Sequence, residues 1–545
     1  MEIEELAAPV RTKLKSFAII IALFLQLRRS QLALGIPAFD STIVATSIPT
    51  IASELDHYGG GYMWIGGAYL LAMAACGPIW AKSSDIWGRK PILLIAVAIF
   101  TFASVIAATA VNMSMLIAAR ALQGCAGGGC IQLVFITISD LFSVRKRSLY
   151  LGFTEFVWGL AGGLGPILGG AFTEKLSWRW CFWINLPVCT ITILLLVFFL
   201  DVHNPRTNVW DGIRAIDWFG TVSFLAVTLM LLLGLTFGAS VAGWSSTKVI
   251  CLLVFGGASI GFFLLSETRL ATYPLIPLGI LKNRSNTAAL FVGFCHGASF
   301  IAAEYYLPLY FQSVKMASPL RSGVLLLPTV LSSAAMGVVS GFVINFTGKY
   351  RELIWAGLAL LTIGDGLYTA LGSHATIGRV IGYQFVAGCG AGLLFHPPLI
   401  AIQTFVSQAD TAAATATFAF VRSMAQAVSV VVGGVIFQSS MDDRVSSLVM
   451  SGMSLRRCQM IGSEQLLTAN VELVKTLQDQ VQRQRIMDAF ASSWSKMFIL
   501  YTALAGTGFL VSLLIRHKLL SQDHVETKTG INKMSKREKQ VQSET

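Results

Sequence analysis

Six ionisable residues fall inside long apolar runs of this chain: Asp40, Arg120, Glu155, Glu304, Asp365 and Arg422. A charged side chain in hydrocarbon is costly and is usually kept for function, so the chemistry open to this set is the binding and release of protons. Arg120 lies about 9 Å into its helix at 1.5 Å per residue. There a fixed guanidinium favours the ionised form of a nearby carboxylate until a proton or a substrate competes. Asp40, Arg120, Glu155, Glu304 and Asp365 are therefore the proton-coupling candidates. The other reading of each is a static buried hydrogen-bond network. No catalytic constellation, metal-ligand spacing or cofactor motif accompanies them, so the expectation is a protein that is not an enzyme and carries no cofactor.

The elements that must position these residues are membrane spans. Hydrophobic residues make up 54% of the 545, charged residues only 12%, and mean hydropathy is +0.68, all outside globular norms. The net charge of +12 sits mostly in short loops, where it marks the cytoplasmic side. Basic patches with interleaved aromatics are lacking, which argues against nucleic acid as a partner. Runs of about 20 residues suffice to cross a bilayer, and they read as six spans over 31–52, 61–80, 91–110, 114–137, 149–172 and 181–200. Two more, over 218–238 and 247–266, follow a polar stretch. Six others follow over 286–312, 322–346, 353–372, 378–404, 411–437 and 494–515. The expected fold is all-α: two six-helix bundles, residues 31–200 and 286–516, with a 201–285 linker carrying two inserted helices.

A repeat supports the two halves. Ala81-Lys-Ser-Ser-Asp85-Ile-Trp-Gly88-Arg89-Lys90 links the second and third spans, and Gly341-Phe-Val-Ile-Asn345-Phe-Thr-Gly348-Lys349 is its degraded copy in the second half. Duplicated bundles are common among secondary transporters. Asp85, Gly88, Arg89 and Lys90 are expected to gate, bonding across to neighbouring helix ends as a conformational latch.

The fifth span holds Gly159-Leu-Ala-Gly162-Gly163-Leu-Gly165-Pro166-Ile-Leu-Gly169-Gly170, with six glycines and a proline in twelve residues. Such a run would wreck a soluble helix, but in a membrane bundle it permits close helix approach and a bend. Together with the 81–90 turn and Arg120-Ala-Leu-Gln123-Gly124, this resembles the major facilitator superfamily. Gly162, Gly165, Pro166, Gly169 and Gly170 are similar to its antiporter motif. Phe39-Asp40-Ser-Thr42, Ser139-Asp140-Leu and Trp178-Arg-Trp180-Cys-Phe-Trp183-Ile-Asn185-Leu-Pro187 resemble the fourteen-span drug:proton antiporters, especially fungal ones, over about residues 36–515. Ala81 departs from that pattern, standing where glycine is usual. The resemblance points to Asp40 and Arg120 first for coupling.

Gln123, Gln403, Arg422 and Gln426 are candidates to line a central cavity, which Phe153, Phe156, Phe395 and Phe418 would make apolar enough for a greasy organic substrate. Aromatic residues of membrane helices face lipid as well. Trp178, Trp180 and Trp183 suit an interfacial belt. No Gly-x-x-x-x-Gly-Lys-Ser/Thr loop occurs, since Gly348-Lys349 is followed by tyrosine, so an ion gradient is favoured over ATP. The nine cysteines lie mainly in apolar runs without paired spacing.

The acidic start, Met1-Glu-Ile-Glu-Glu5, does not match a cleavable signal. Arg28-Arg29 interrupts an apolar stretch, and at the bilayer centre it would cost roughly 5–7 kcal/mol. Residues 1–30 are thus expected to be cytoplasmic or interfacial, and a mis-joined gene model explains the interruption equally well. Residues 438–493 read as an outer loop and 517–545 as a disordered tail. The combined expectation is a monomeric, multi-pass protein of the cell membrane with both termini cytoplasmic, exporting amphipathic small molecules in exchange for protons. A proton-coupled importer, for example of siderophores, and a non-transporting sensor or inactive product are the alternatives.

Overall fold

The computed structural model describes residues 32–55, 62–240, 243–450 and 479–521, apart from residues 201, 204, 206, 271–274 and 277. The segment expected over 1–30 and nearly all of the 517–545 tail lie outside the described residues. Among the described residues the chain is all-helical. The first bundle comprises α1 (Leu32–Ala45), α2 (Ile48–Leu55), α3 (Tyr62–Trp87), α4 (Arg89–Ala108), α5 (Met113–Leu141), α6 (Val144–Lys175), α7 (Trp180–Trp183) and α8 (Asn185–Phe199). A short helix, α9 (Val209–Ala215), leads to the inserted hairpin of α10 (Trp218–Ser240) and α11 (Thr247–Leu265). The second bundle comprises α12 (Arg284–Ser313), α13 (Pro319–Thr347), α14 (Arg351–Thr369), α15 (Ile377–Gly392), α16 (Pro397–Thr404), α17 (Thr411–Met450) and α18 (Gln480–Ser512).

Among the described residues twelve helices are long and apolar enough to cross a membrane. Two helices fall outside that set: α1, which is shorter, breaks from α2 at residues 46–47, ahead of Pro49, and α14 carries Arg351, Glu352 and Asp365 within its 19 residues. The break between α15 and α16 precedes Pro397-Pro398. In both places a proline within the first two residues lacks the N–H that would continue the preceding helix. Helices α17 and α18 run well into the stretch expected as the 438–493 loop, held as a hairpin by the Phe437–Phe490 ring contact and by Arg444 donating to Ser492 Oγ.

The two matching turns share a glycine at positive φ but not one backbone conformation, with ψ 158° at Gly88 and 11° at the left-handed Gly348. Gly88 has φ 95° and Gly348 φ 70°, a region that side chains disfavour, and they join α3 to α4 and α13 to α14. These turns, residues 142–147 and residues 404–411 lie at one end of the molecule, here called the basic end.

Helix α6 is the hinge plate of the fold, because its glycines face two ways. A Cβ on Gly165 would lie 2.1 Å from Thr42 Oγ1, and one on Gly169 2.1 Å from Ile43 O, so this face presses on α1. A Cβ on Gly152 would meet Gly337 O at 3.1 Å and one on Gly159 would meet Ala334 Cβ at 2.8 Å, so the other face presses on α13. Gly162 is looser against Val330, and Gly163 and Gly170 face open space. Pro166 sits inside the unbroken helix. The hairpin α10–α11 touches both bundles: Trp64 of α3 packs on Phe237, and Phe420 of α17 on Phe224, with ring centroids 5.5 Å and 4.7 Å apart.

Gly169→Ala should lower stability by about 1–3 kcal/mol, since its methyl meets a carbonyl that cannot rotate away. Gly163→Ala should be neutral or stabilising by up to about 1 kcal/mol. Thermal unfolding of the detergent-purified variants separates the two, and equal midpoints would refute the packing account.

Candidate functional site

Asp40 and Arg120 meet inside the first bundle. Arg120 Nη1 is 2.5 Å from Asp40 Oδ2, with Asp40 fully buried and Arg120 2% exposed. Asn185 donates to Asp40 Oδ1 at 2.7 Å, and Gln123 Nε2 reaches the same oxygen at 3.4 Å. Gln123 also accepts from Arg120 at 2.9 Å and donates to Ser104 Oγ at 2.8 Å. Arg120 Nε donates to Ile65 O at 3.0 Å, and its guanidinium lies 4.3 Å from the Tyr69 ring centroid. One network thus ties α1, α3, α4, α5 and α8, with both oxygens of Asp40 engaged. Gln123, expected in a central cavity, belongs to this network inside one bundle. Asn185 and Ser104 were missed from sequence: Asn185 was quoted only within a motif, and Ser104 looks like any small residue of an apolar run.

The second bundle has its own polar centre. Asp365 on α14 is 1% exposed, neither carboxylate oxygen has a hydrogen-bond partner, and its polar surroundings are Ser299, Tyr368 and Tyr501. Thr329 of α13 donates to Gln384 of α15 at 2.9 Å.

Between the bundles, contacts concentrate towards the basic end. Arg145 Nε donates to Asn345 O at 2.8 Å and its Nη2 to Phe346 O. Arg147 donates to Gln403 Oε1 at 3.1 Å and to Gln408 Oε1 at 2.9 Å, while Gln403 donates back to Ser139 Oγ at 3.1 Å. Ser148 Oγ donates to Gly341 O at 3.1 Å, and Ala81 and Ile136 cluster with Ala412 and Ala416. Gln403 is accordingly part of the basic-end closure and not of a central lining. The expected latch residues act within the first bundle: Arg89 bridges Asp85 at 2.6 Å and Asp140 at 2.8 Å, and Lys90 donates to Val197 O at 2.8 Å. The cross-bundle ties come from Arg145 and Arg147, which as sequence read only as loop charges.

Midway along the seam lies a mixed-charge cluster. Glu155 Oε1 of α6 is 3.2 Å from His396 Nε2, at the start of α16, with side chains 8% and 3% exposed. Arg422 stacks 4.5 Å from the Phe395 ring centroid and has Glu155 and Glu304 as its charged neighbours. Gln426 lies one turn further along α17, partly buried. Of the aromatic candidates, Phe395 and Phe418 are buried, Phe153 packs on Phe342 of α13, and Phe156 is exposed. Trp178 is buried and donates to Glu54 Oε2 at 2.7 Å, so of the expected belt it is Trp180 that faces outwards.

Arg120→Ala leaves Asp40 charged and buried, and should cost about 3–5 kcal/mol of stability. The Asp40→Asn/Arg120→Gln double variant should recover most of that loss in the same unfolding assay. A double variant no more stable than Arg120→Ala would show that the pair is not the bundle's organising charge.

The family model described as Major Facilitator Superfamily matches residues 32–430. The chain is 42% identical over 523 residues to the efflux pump dotC of Dothistroma septosporum, covering 96% of this chain and 88% of that protein. It is 40% identical over 526 residues to the MFS-type transporter ppz2 of Metarhizium majus, with coverage of 96% and 88%. It is 32% identical over 518 residues to the efflux pump FUS6 of Gibberella moniliformis, with coverage of 93% and 90%. The crystal structure of the human organic anion transporter MFSD10 superposes with a TM-score of 0.55 at 15% identity, covering 88% of this chain and 99% of that one, a likeness of fold alone. Two helical bundles with an inserted hairpin, a family match across both and full-length relatives lead to one conclusion: this chain is a multi-pass membrane protein that belongs to the major facilitator superfamily.

Proposed function

We propose that this chain is a proton-driven antiporter that exports amphipathic organic compounds, such as drugs, toxins or a fungal secondary metabolite, out of the cytoplasm. The observation that carries the reading is the solvent-free Asp40–Arg120 pair, set in a chain whose full-length relatives include proteins named efflux pumps. Proton coupling is assigned to that pair: a proton arriving at Asp40 discharges the carboxylate, loosens its hold on Arg120 and Asn185, and changes how α1 and α5 pack. In this reading the basic end faces the cytoplasm, supported by the positive charge of the short loops, with both termini on that side, in the cell membrane. The arrangement closed by Arg145 and Arg147 is then the outward-facing one. The protein works as a monomer, since the seam that must open and close lies within one chain.

Cells expressing the chain should retain less of a fluorescent amphipathic dye than controls, and a protonophore should abolish the difference. Asp40→Asn should reach the membrane yet lose substrate-dependent proton flux in proteoliposomes. Efflux that ignores the protonophore and follows ATP would overturn the reading, and full coupled flux in Asp40→Asn would remove Asp40 from it.

A further inference from the structure

Glu155 differs from Asp40 in one respect that bears on motion: its charge partners lie on the opposite bundle. Glu155 belongs to α6, whereas His396 caps the start of α16 and Arg422 lies on α17. No side chain separates the carboxylate arm from α13, because a Cβ on Gly337 would lie 2.8 Å from Glu155 Cγ. The His396 ring also meets an edge of Phe135 on α5, with centroids 6.2 Å apart, so the imidazole of the second bundle is seated in the first. Glu155 Oε1 and His396 Nε2 are 3.2 Å apart without hydrogen-bond alignment. Among the described residues, the charged and titratable groups around it come from the second bundle: His396, Arg422, and Glu304 and His296 of α12.

We propose that Glu155 is a proton-operated clasp between the bundles, a second proton-binding position distinct from Asp40. Ionised, Glu155 attracts Arg422 across the seam, and His396 whenever its imidazole carries a proton, and holds the basic end shut. A proton taken up from the opposite side converts the carboxylate to the neutral acid, and the cross-seam attraction is lost. Arg422 is not stranded when the seam parts, because Glu304 stays beside it on its own bundle. The proton then leaves Glu155 to the cytoplasm through the opened basic end, and the recharged carboxylate can clasp again. Proton entry and outward closure thereby exclude one another, which is the ordering antiport needs. The clasp rests on the antiport reading for its direction, but not for its existence.

The test places nitroxides at exposed Lys146 and Lys349, one on each bundle at the basic end, through chemistry that spares the native cysteines. Their separation is then measured by pulsed electron resonance in lipid nanodiscs at pH 8 and pH 5.5. The parent protein should favour the short distance at pH 8. Acidification should raise the open-to-closed ratio about tenfold, as when a charge-assisted contact gives way to a neutral one. Glu155→Gln should show the open distribution at both pH values, and His396→Asn should shift partway. If Glu155→Gln proves monodisperse and keeps the parent's pH response, or if the parent has none, the clasp is overturned. Should Glu155→Gln fail to fold, an unshifted His396→Asn overturns it equally. Substrate-driven proton flux in proteoliposomes is read separately: its absence in the parent, with the distance shift intact, would refute antiport and leave the clasp standing.

Discussion

A carboxylate and a guanidinium facing each other where no water can reach must satisfy one another completely or not be charged at all. Much else in the first bundle follows from that demand. Asp40 needs Asn185 and Arg120 at once, and Arg120 needs Ile65 O and Gln123. Five helices are therefore held at fixed mutual heights. The glycines of α6 complete the arrangement from outside, since only residues without side chains let that helix lie against α1 beside Asp40. The charged pair fixes the register and the glycines fix the distance.

The second bundle repeats the plan with different chemistry. Its turn keeps a glycine at positive φ, but Gly348 is left-handed where Gly88 is extended in ψ. Its buried polar centre, however, holds a carboxylate, Asp365, with no cation joined to it. The cation of this half, Arg422, stands at the seam instead. Duplication has conserved the scaffold while separating the charges: sealed within one half, and offered to the interface by the other.

Much of this was legible in the residues. Apolar runs pointed to the spans, because a bilayer imposes a length on each, and twelve helices among the described residues are long and apolar enough to be such spans. Asp40 and Arg120 announced themselves as charges in hydrocarbon. Other features are not written locally. Gln123 and Gln403 both read as cavity-lining amides, and only the packing of α4 and α8 around one and of α6 around the other separates their places. The 81–90 turn read as a latch onto neighbouring helix ends, and Arg89 meets Asp85 and, near the end of α5, Asp140; that the ties between bundles fall to Arg145 and Arg147 had no local signal. His396 carried no signal at all: it is a lone histidine before two prolines, and its meeting with Glu155 spans 241 positions of chain that only the fold brings together.

The inserted hairpin gives the molecule a front and a back. By touching α3 through Trp64 and α17 through Phe420, it roofs one of the two lines along which the bundles adjoin. The other line, where α6 meets α13, is flanked by the outward-facing side chains of Phe156, Leu160, Leu331 and Phe346. A lipid-dissolved solute wandering around the protein would thus encounter an asymmetric perimeter, roofed on one flank and glycine-floored on the other. Entry from the bilayer, as opposed to the aqueous phase, would have a single sidedness that the internal twofold repeat of the sequence conceals.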